Sequence, residues 1–196
     1  YTSGSTGLPK GIVHTHRSGL SFANWAVDTY QLSRMDRLSN HAPLHFDLST
    51  FDFFAASQAG AATCIIPEGV TKFPASVAKW IQDEKITVWY SVPFALIQML
   101  QRANLPAKDF SALRWILFAG EPFPTKHLRE IMKLLPHIRF SNLYGPTETN
   151  VCTYFHVEPI PDDQDEPISI GKACDNVEDL VVDGNNQAVL NGEIGE

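Results

Sequence analysis

The stretch "LRWILFAGEPFPTKHLREIMKLL" (113–135) passes from an apolar run, through Gly and Pro, into an amphipathic segment. The run 113–119 lacks polar alternation, so a strand there is buried on both faces. In 124–135, Leu128, Ile131, Met132 and Leu135 recur at three- and four-residue spacing and mark one apolar helix face. Outward from this unit the pattern repeats. "ATCIIP" (62–67), "ITVWYSV" (86–92) and "IRFSNLY" (138–144) read as buried strands, and 15–31, 48–58, 73–84 and 93–103 read as helices. Such alternation specifies an α/β fold, parallel sheet layers flanked by helices, with binding residues at the C-terminal ends of the strands. The core is expected over 1–158. A Pro- and acid-rich linker, "PIPDDQDEP" (159–167), follows, and 168–196 reads as the start of a β-rich subdomain. The chain opens inside a motif and closes on "NGEIGE", so it is expected to be a fragment of a larger chain.

The composition narrows the function. Of 196 residues, 44% are hydrophobic and 19% charged, an ordinary globular profile. A net charge of −7 argues against a nucleic-acid surface, which needs a basic patch. No apolar run reaches the roughly 18–20 residues of a membrane span. Cys64, Cys152 and Cys174 are odd in number and far apart in sequence, neither a disulfide framework nor a zinc set. A cytoplasmic location is the expectation.

The first eleven residues, "YTSGSTGLPKG", combine glycines, hydroxyls and a lysine. Gly4 and Gly7 let the backbone approach an anion, and successive N–H groups can form an anion-binding nest. Thr2, Ser3, Ser5 and Thr6 add hydroxyl donors, and Lys10 adds a positive charge. The set suits a polyphosphate. It is not a Walker A loop, because Pro9 stands where a second Gly is required. Composition alone leaves a flexible linker equally open. The order of residues resembles the phosphate-binding signature of the adenylate-forming enzymes. These include acyl-CoA synthetases, luciferases and the adenylation domains of nonribosomal peptide synthesis.

"NLYGPTET" (142–149) follows a buried strand and is similar to that superfamily's adenine- and magnesium-contacting segment. The resemblance brings Asn142 into the nucleotide site and sets Tyr144 against the adenine. It puts Thr147 at the α-phosphate and makes Glu148 the Mg²⁺ ligand. By itself the segment is also good turn chemistry. "FAGEPF" (118–123) resembles the segment that passes beside the adenine ring, through Gly120, Glu121 and Pro122; it reads equally as a strand-to-helix turn. The resemblance implies ATP and Mg²⁺ as cofactors, with Lys10, Thr147 and Glu148 as the catalytic groups.

"HFDLSTFDFF" (45–54) bears on the substrate. An isolated Asp before an apolar run is usually a helix cap, with Thr50 three residues on. In amino-acid-activating members of the superfamily, an Asp at this motif position pairs with the substrate ammonium. The resemblance therefore assigns Asp47 as the amine anchor, and Asp52 is left as a surface or helix-dipole charge. Leu48, Phe51, Tyr90, Leu117, Ala119, Leu143, Val151 and Cys152 follow by motif position as the pocket lining. An apolar lining without a second charge disfavours charged side chains. The ordered set resembles the pocket of stand-alone proline-activating enzymes that load the phosphopantetheine arm of a peptidyl carrier protein. L-proline and such a carrier are the implied partners. Cys152 has nothing nearby in sequence to activate it as a nucleophile. His14 and His16 lack a third ligand at metal spacing and read as core or solvated rings. His45 would border the pocket. The rival readings are an acyl- or aryl-CoA ligase of the same superfamily and a non-catalytic nucleotide-binding module.

Overall fold

The computed structural model describes residues 7–175, 177–190 and 192–196. Its helices and strands alternate as α1 His16–Tyr30, β1 Arg37–Asn40, α2 Leu48–Thr50, a π-helical turn Phe51–Ala55, α3 Ala56–Ala59 and β2 Ala62–Ile65. They continue as α4 Glu68–Thr71, α5 Pro74–Asp83, β3 Val88–Ser91, α6 Pro93–Arg102, a 3₁₀ turn Leu105–Ala107 and β4 Trp115–Phe118. The series closes with α7 Thr125–Leu134, β5 Arg139–Tyr144, β6 Thr153–Val157 and β7 Lys172–Ala173. The strands form one seven-stranded sheet in the order β2-β1-β3-β4-β5-β6-β7.

The four strands read from apolar runs are present and parallel, joined by β1. The sheet is mixed, however, because β6 and β7 pair antiparallel. A parallel return needs a crossover of a dozen or more residues. The turn between Tyr144 and Thr153 is too short for one, so β6 folds straight back along β5. The β1 strand was not evident in the sequence. It reads "RLSN", and its Ser39 and Asn40 are buried polar residues.

Alternation along the central strands divides the core. Trp89, Ile116, Phe118 and Phe140 face α5, α6 and α7, where Val77, Ala78, Ile81, Leu96, Met99, Leu128 and Ile131 meet them. Val88, Tyr90, Trp115, Leu117 and Leu143 face the other way, onto Trp25, Ala26 and Tyr30 of α1 and onto Phe51, Ala55 and Ala56. Local signals set the helix ends. Thr15 and Ser18 cap α1 reciprocally, each side chain accepting the other's backbone N–H at 3.1 Å. Proline opens both α5 and α6.

An ion pair between Arg114 and Asp36 ties the N-terminal ends of the central strands. Arg114 donates from Nε and Nη2 to the two Asp36 oxygens at 2.9 and 3.0 Å. It also donates to the Tyr30 and Gln31 carbonyls that end α1. Thr87 Oγ1 and the Ser33 N–H complete the Asp36 carboxylate, each at 2.8 Å. Burial alone would raise the Asp36 carboxyl; Arg114, Thr87 and Ser33 outweigh it and hold it below the usual carboxylate range.

The acidic stretch after β6 lies along α7. Thr125 Oγ1 donates to the Glu166 carbonyl at 2.7 Å, Arg129 donates to the Gln164 carbonyl, and Lys133 pairs with Asp162. Residues 172–173 then join the core sheet as β7. Farther on, the chain pairs with itself, Val182 exchanging backbone bonds with Glu196 at 2.9 and 2.8 Å.

Candidate active site

The C-terminal ends of β3, β4 and β5 carry three of the sequence segments singled out above. Of the opening loop, Thr2, Ser3, Gly4, Ser5 and Thr6 lie outside the described residues. Gly7 has φ +83°, a conformation that favours glycine, and Lys10 is exposed. The segment that follows comes to the 142–149 turn, with His14 Nε2 3.4 Å from the Thr147 carbonyl oxygen. His14, read from sequence as core or solvated, is an exposed ring that joins the two segments.

Backbone geometry explains the residues of that turn. The Cys152 N–H donates to the Tyr144 carbonyl at 2.8 Å and closes the loop. A Cβ on Gly145 would fall 1.7 Å from the Asn150 carbonyl oxygen, so only glycine fits. Inside the loop the Thr149 N–H donates to the Pro146 carbonyl at 3.0 Å. Tyr144 ends β5 half-exposed, Thr147 is part-buried and Glu148 is exposed. The Asn142 amide donates to the Ser169 carbonyl at 3.0 Å.

After β4, Gly120 takes φ +94° and turns the chain. Glu121 Oε1 accepts the Phe94 N–H at 2.8 Å and so caps α6, while Pro122 is exposed. A carboxylate at a helix N-terminus satisfies a backbone donor that the helix cannot.

Asp47 is part-buried at the start of α2, but its side chain makes no capping bond. Its backbone is already helical, φ −64° and ψ −24°, whereas a capping residue is extended. Its carbonyl accepts from Thr50 Oγ1 at 2.6 Å, and Thr50 Oγ1 in turn accepts from the Asn150 amide at 2.6 Å. Asn150, with φ +61°, thereby couples the 142–149 loop to the Asp47 helix. Neither Thr50 nor Asn150 stood out in the sequence as a link, because they are far apart along the chain.

Leu48, Phe51, Tyr90, Leu117, Ala119, Leu143 and Val151 fall within one apolar cluster. Phe51 and Tyr90 pack edge-on, ring centres 5.4 Å apart. Cys152 is part-buried, with its Sγ 3.5 Å from the Tyr144 carbonyl. The Tyr90 phenol is pushed well up by burial, with smaller contributions from Tyr30, Asp52 and Asp47. His45 is exposed and packs at a tilt against Phe46, ring centres 4.7 Å apart.

Asp52 is a correction. It is not a surface charge but 1% exposed, in the π-helical turn. Five residues per hydrogen-bonded step shift the helix face relative to α-helical spacing and turn this carboxyl inward. Asn40 Nδ2 donates to its Oδ2 at 3.4 Å, and its Oδ1 has no partner among the described residues. Burial drives this carboxyl far above the usual range. A groove of about 450 Å³ opens along Tyr154, His156 and Lys172, and it holds none of the site residues considered above.

The family model described as AMP-binding enzyme matches residues 1–196. The chain belongs to the AMP-binding enzyme family. Among AMP-binding relatives, an L-proline–[L-prolyl-carrier protein] ligase of Pseudomonas fluorescens is 44% identical over all of this chain. A D-alanine–D-alanyl carrier protein ligase of Bacillus cereus is 30% identical, also over all of it. The chain spans 39% of the length of each of these two curated relatives. Among solved structures, the Vibrio cholerae adenylation domain AlmE in complex with glycyl-adenosine-5'-phosphate superposes with a TM-score of 0.82. It is 28% identical, over 95% of this chain and 34% of that one. The seven-stranded mixed sheet described above thus matches part of the fold of an adenylation domain.

Proposed function

We propose that the protein containing this chain is an adenylate-forming ligase that activates L-proline and passes it to a peptidyl carrier protein. The observation that carries the reading is Asp47, a part-buried carboxylate without a capping role beside a compact apolar cluster. A cationic amine satisfies such a group, and a small aliphatic ring suits the lining. The 44% identity to a proline ligase favours proline over the D-alanine of the more distant relative. A fatty acid or an unsubstituted aryl acid carries no amine for Asp47 to bind.

A carboxylate is ionised at neutral pH and needs no general base. The proline carboxylate oxygen attacks the α-phosphorus of ATP; the new O–P bond forms as the bond to pyrophosphate breaks. The protein's part is positioning and neutralisation of phosphoryl charge. Lys10 and the Thr147 hydroxyl supply two of those contacts, and Tyr144 offers its half-exposed ring to the adenine. Among the described residues no three His, Cys, Asp or Glu side chains gather as a metal cage. One exposed carboxylate, with the remaining positions left to phosphate and water, suits Mg²⁺, which keeps several waters. Glu148 would hold the ion, which when bound neutralises phosphate charge. The carrier's phosphopantetheine thiol then attacks the adenylate carbonyl, forming the thioester and releasing AMP.

Amino-acid-dependent pyrophosphate exchange by the full-length protein tests this. Exchange with proline, and little with alanine, valine or an aryl acid, is expected. Exchange with an aryl acid alone would overturn the amino-acid reading, and exchange with D-alanine alone would overturn proline.

A further inference from the structure

Strands β6 and β7 pair with Thr153 opposite Ala173 and Tyr154 opposite Lys172. The same register sets Cys152 opposite Cys174, and the Cys174 N–H donates to the Cys152 carbonyl at 2.8 Å. Opposed residues present their side chains on one face of a sheet. Here that face is marked by the Lys172 ammonium, 5.5 Å from the centre of the Tyr154 ring. Cys152 and Cys174 lie one residue beyond the paired segments, and continuing the two-residue alternation brings both thiols back to that face. Opposed residues hold their Cβ atoms about 4.5–5.5 Å apart. A small approach of the short β7 brings that within the roughly 3.5–4.5 Å of a disulfide. Cys64 lies on β2, five strands from β6, about 24 Å at the usual strand spacing.

We propose that Cys152 and Cys174 are a modification site, joined as a disulfide when the protein meets a peroxide. The two thiols differ in reach. Cys152 is part-buried, whereas Cys174 is 4% exposed, within the apolar cluster that holds Leu143 and Val151. Burial pushes the Cys174 thiol up to about 12, with smaller contributions from Cys152 and Asp175. Cys152 therefore reacts first. Its thiolate attacks one peroxide oxygen, the O–O bond breaks, and the other oxygen leaves as water once protonated. The Cys174 sulfur then attacks the resulting sulfenic sulfur. The S–S bond forms, the S–O bond breaks, and the hydroxyl departs with the Cys174 proton as a second water. Two electrons pass from the thiols to the peroxide.

The crosslink would draw the Cys152 sulfur towards β7 and fix the strand that follows the 142–149 loop. If Cys152 lines the amino-acid pocket, oxidation stops amino-acid use. That consequence rests on the function proposed above; the crosslink itself does not.

The test treats the full-length protein with hydrogen peroxide, alkylates the remaining thiols, and maps an unreduced digest by mass spectrometry. A linked Cys152–Cys174 peptide, dissolved by dithiothreitol, is expected. Proline-dependent exchange should be lost on oxidation and return on reduction. Cys174→Ala should retain exchange before treatment and give no linked peptide, its Cys152 stopping at the sulfenic acid or oxidising further so that dithiothreitol restores less exchange than in the parent, while Cys64→Ala should behave as the parent. Should Cys174→Ala fail to fold, Cys174→Ser serves the same purpose. Both thiols remaining alkylatable, or Cys152 pairing with any other cysteine, would overturn the site. A linked peptide with undiminished exchange would overturn its effect on the pocket. Absence of exchange in reduced protein with every amino acid would count against the ligase reading and leave the peptide map intact as a test.

Discussion

Asp47 and Asp52 stand five residues apart in different surroundings, Asp47 part-buried at the candidate site and Asp52 enclosed in the core. Truncating one partner of a buried charge pair costs about 2–5 kcal/mol, roughly thirty-fold to a few thousand-fold in rate or binding. Asp47→Ala should lose that much in catalytic efficiency for proline, with ATP affinity nearly intact and the melting temperature little changed. A helix cap would instead give up about 1 kcal/mol of stability and keep turnover in the folded fraction. Measuring the melting temperature and proline-dependent exchange on one sample separates the two. For Asp52 the folded carboxyl titrates far above its unfolded value. Its contribution is therefore fully favourable below about pH 4 and is lost as pH rises towards the folded value. Asp52→Asn should remove that loss, so denaturation midpoints of variant and parent should diverge as pH rises from 4 towards neutrality. Parallel profiles would mean that Asp52 ionises in the fold without penalty. The sequence displayed both aspartates equally. The role proposed for Asp47 comes from its motif, whereas the burial of Asp52 was not anticipated, because α-helical spacing does not foresee a π turn.

Among the elements, the strongest local constraint is the 142–149 loop. Gly145→Ala forces a Cβ into the Asn150 carbonyl, and overpacking of this kind costs about 1–3 kcal/mol or more. The loop should shift, with ATP and Mg²⁺ use falling further than thermal stability; a variant with parental ATP kinetics would show that the loop adapts. At the other end of the strands, Arg114→Ala leaves the buried Asp36 carboxylate without its guanidinium. Loss of one partner of such a pair costs about 3 kcal/mol, to be read from urea denaturation. Since Asp36 is held low, its stabilisation is present above the ordinary carboxylate value and is lost as pH falls through the folded one. Four strands and five helical segments were legible from their apolar runs and periods, although a π turn interrupts the segment 48–58. The β1 strand was not, since Ser39 and Asn40 satisfy their polarity inside the fold. The Asn150–Thr50 and Cys152–Cys174 juxtapositions arise from strand return and loop closure, which no local pattern encodes.

Over the whole molecule, stability is expected to be graded across the sheet. β3 and β4 are buried at every position and flanked by strands on both sides, whereas β2 and β7 are edges. Hydrogen exchange followed by mass spectrometry should be slowest in Val88–Ser91 and Trp115–Phe118 and faster at both edges. Uniform protection would contradict that gradient. The Arg114 clamp adds a consequence of a different kind. It fastens α1 and three strands at the end of the sheet opposite the candidate site. Residues at the open rim, such as Leu48 or Cys152, can then be exchanged without loosening the fastening. A lineage built on this frame can drift towards a new substrate by small steps at one end while inheriting its architecture from the other.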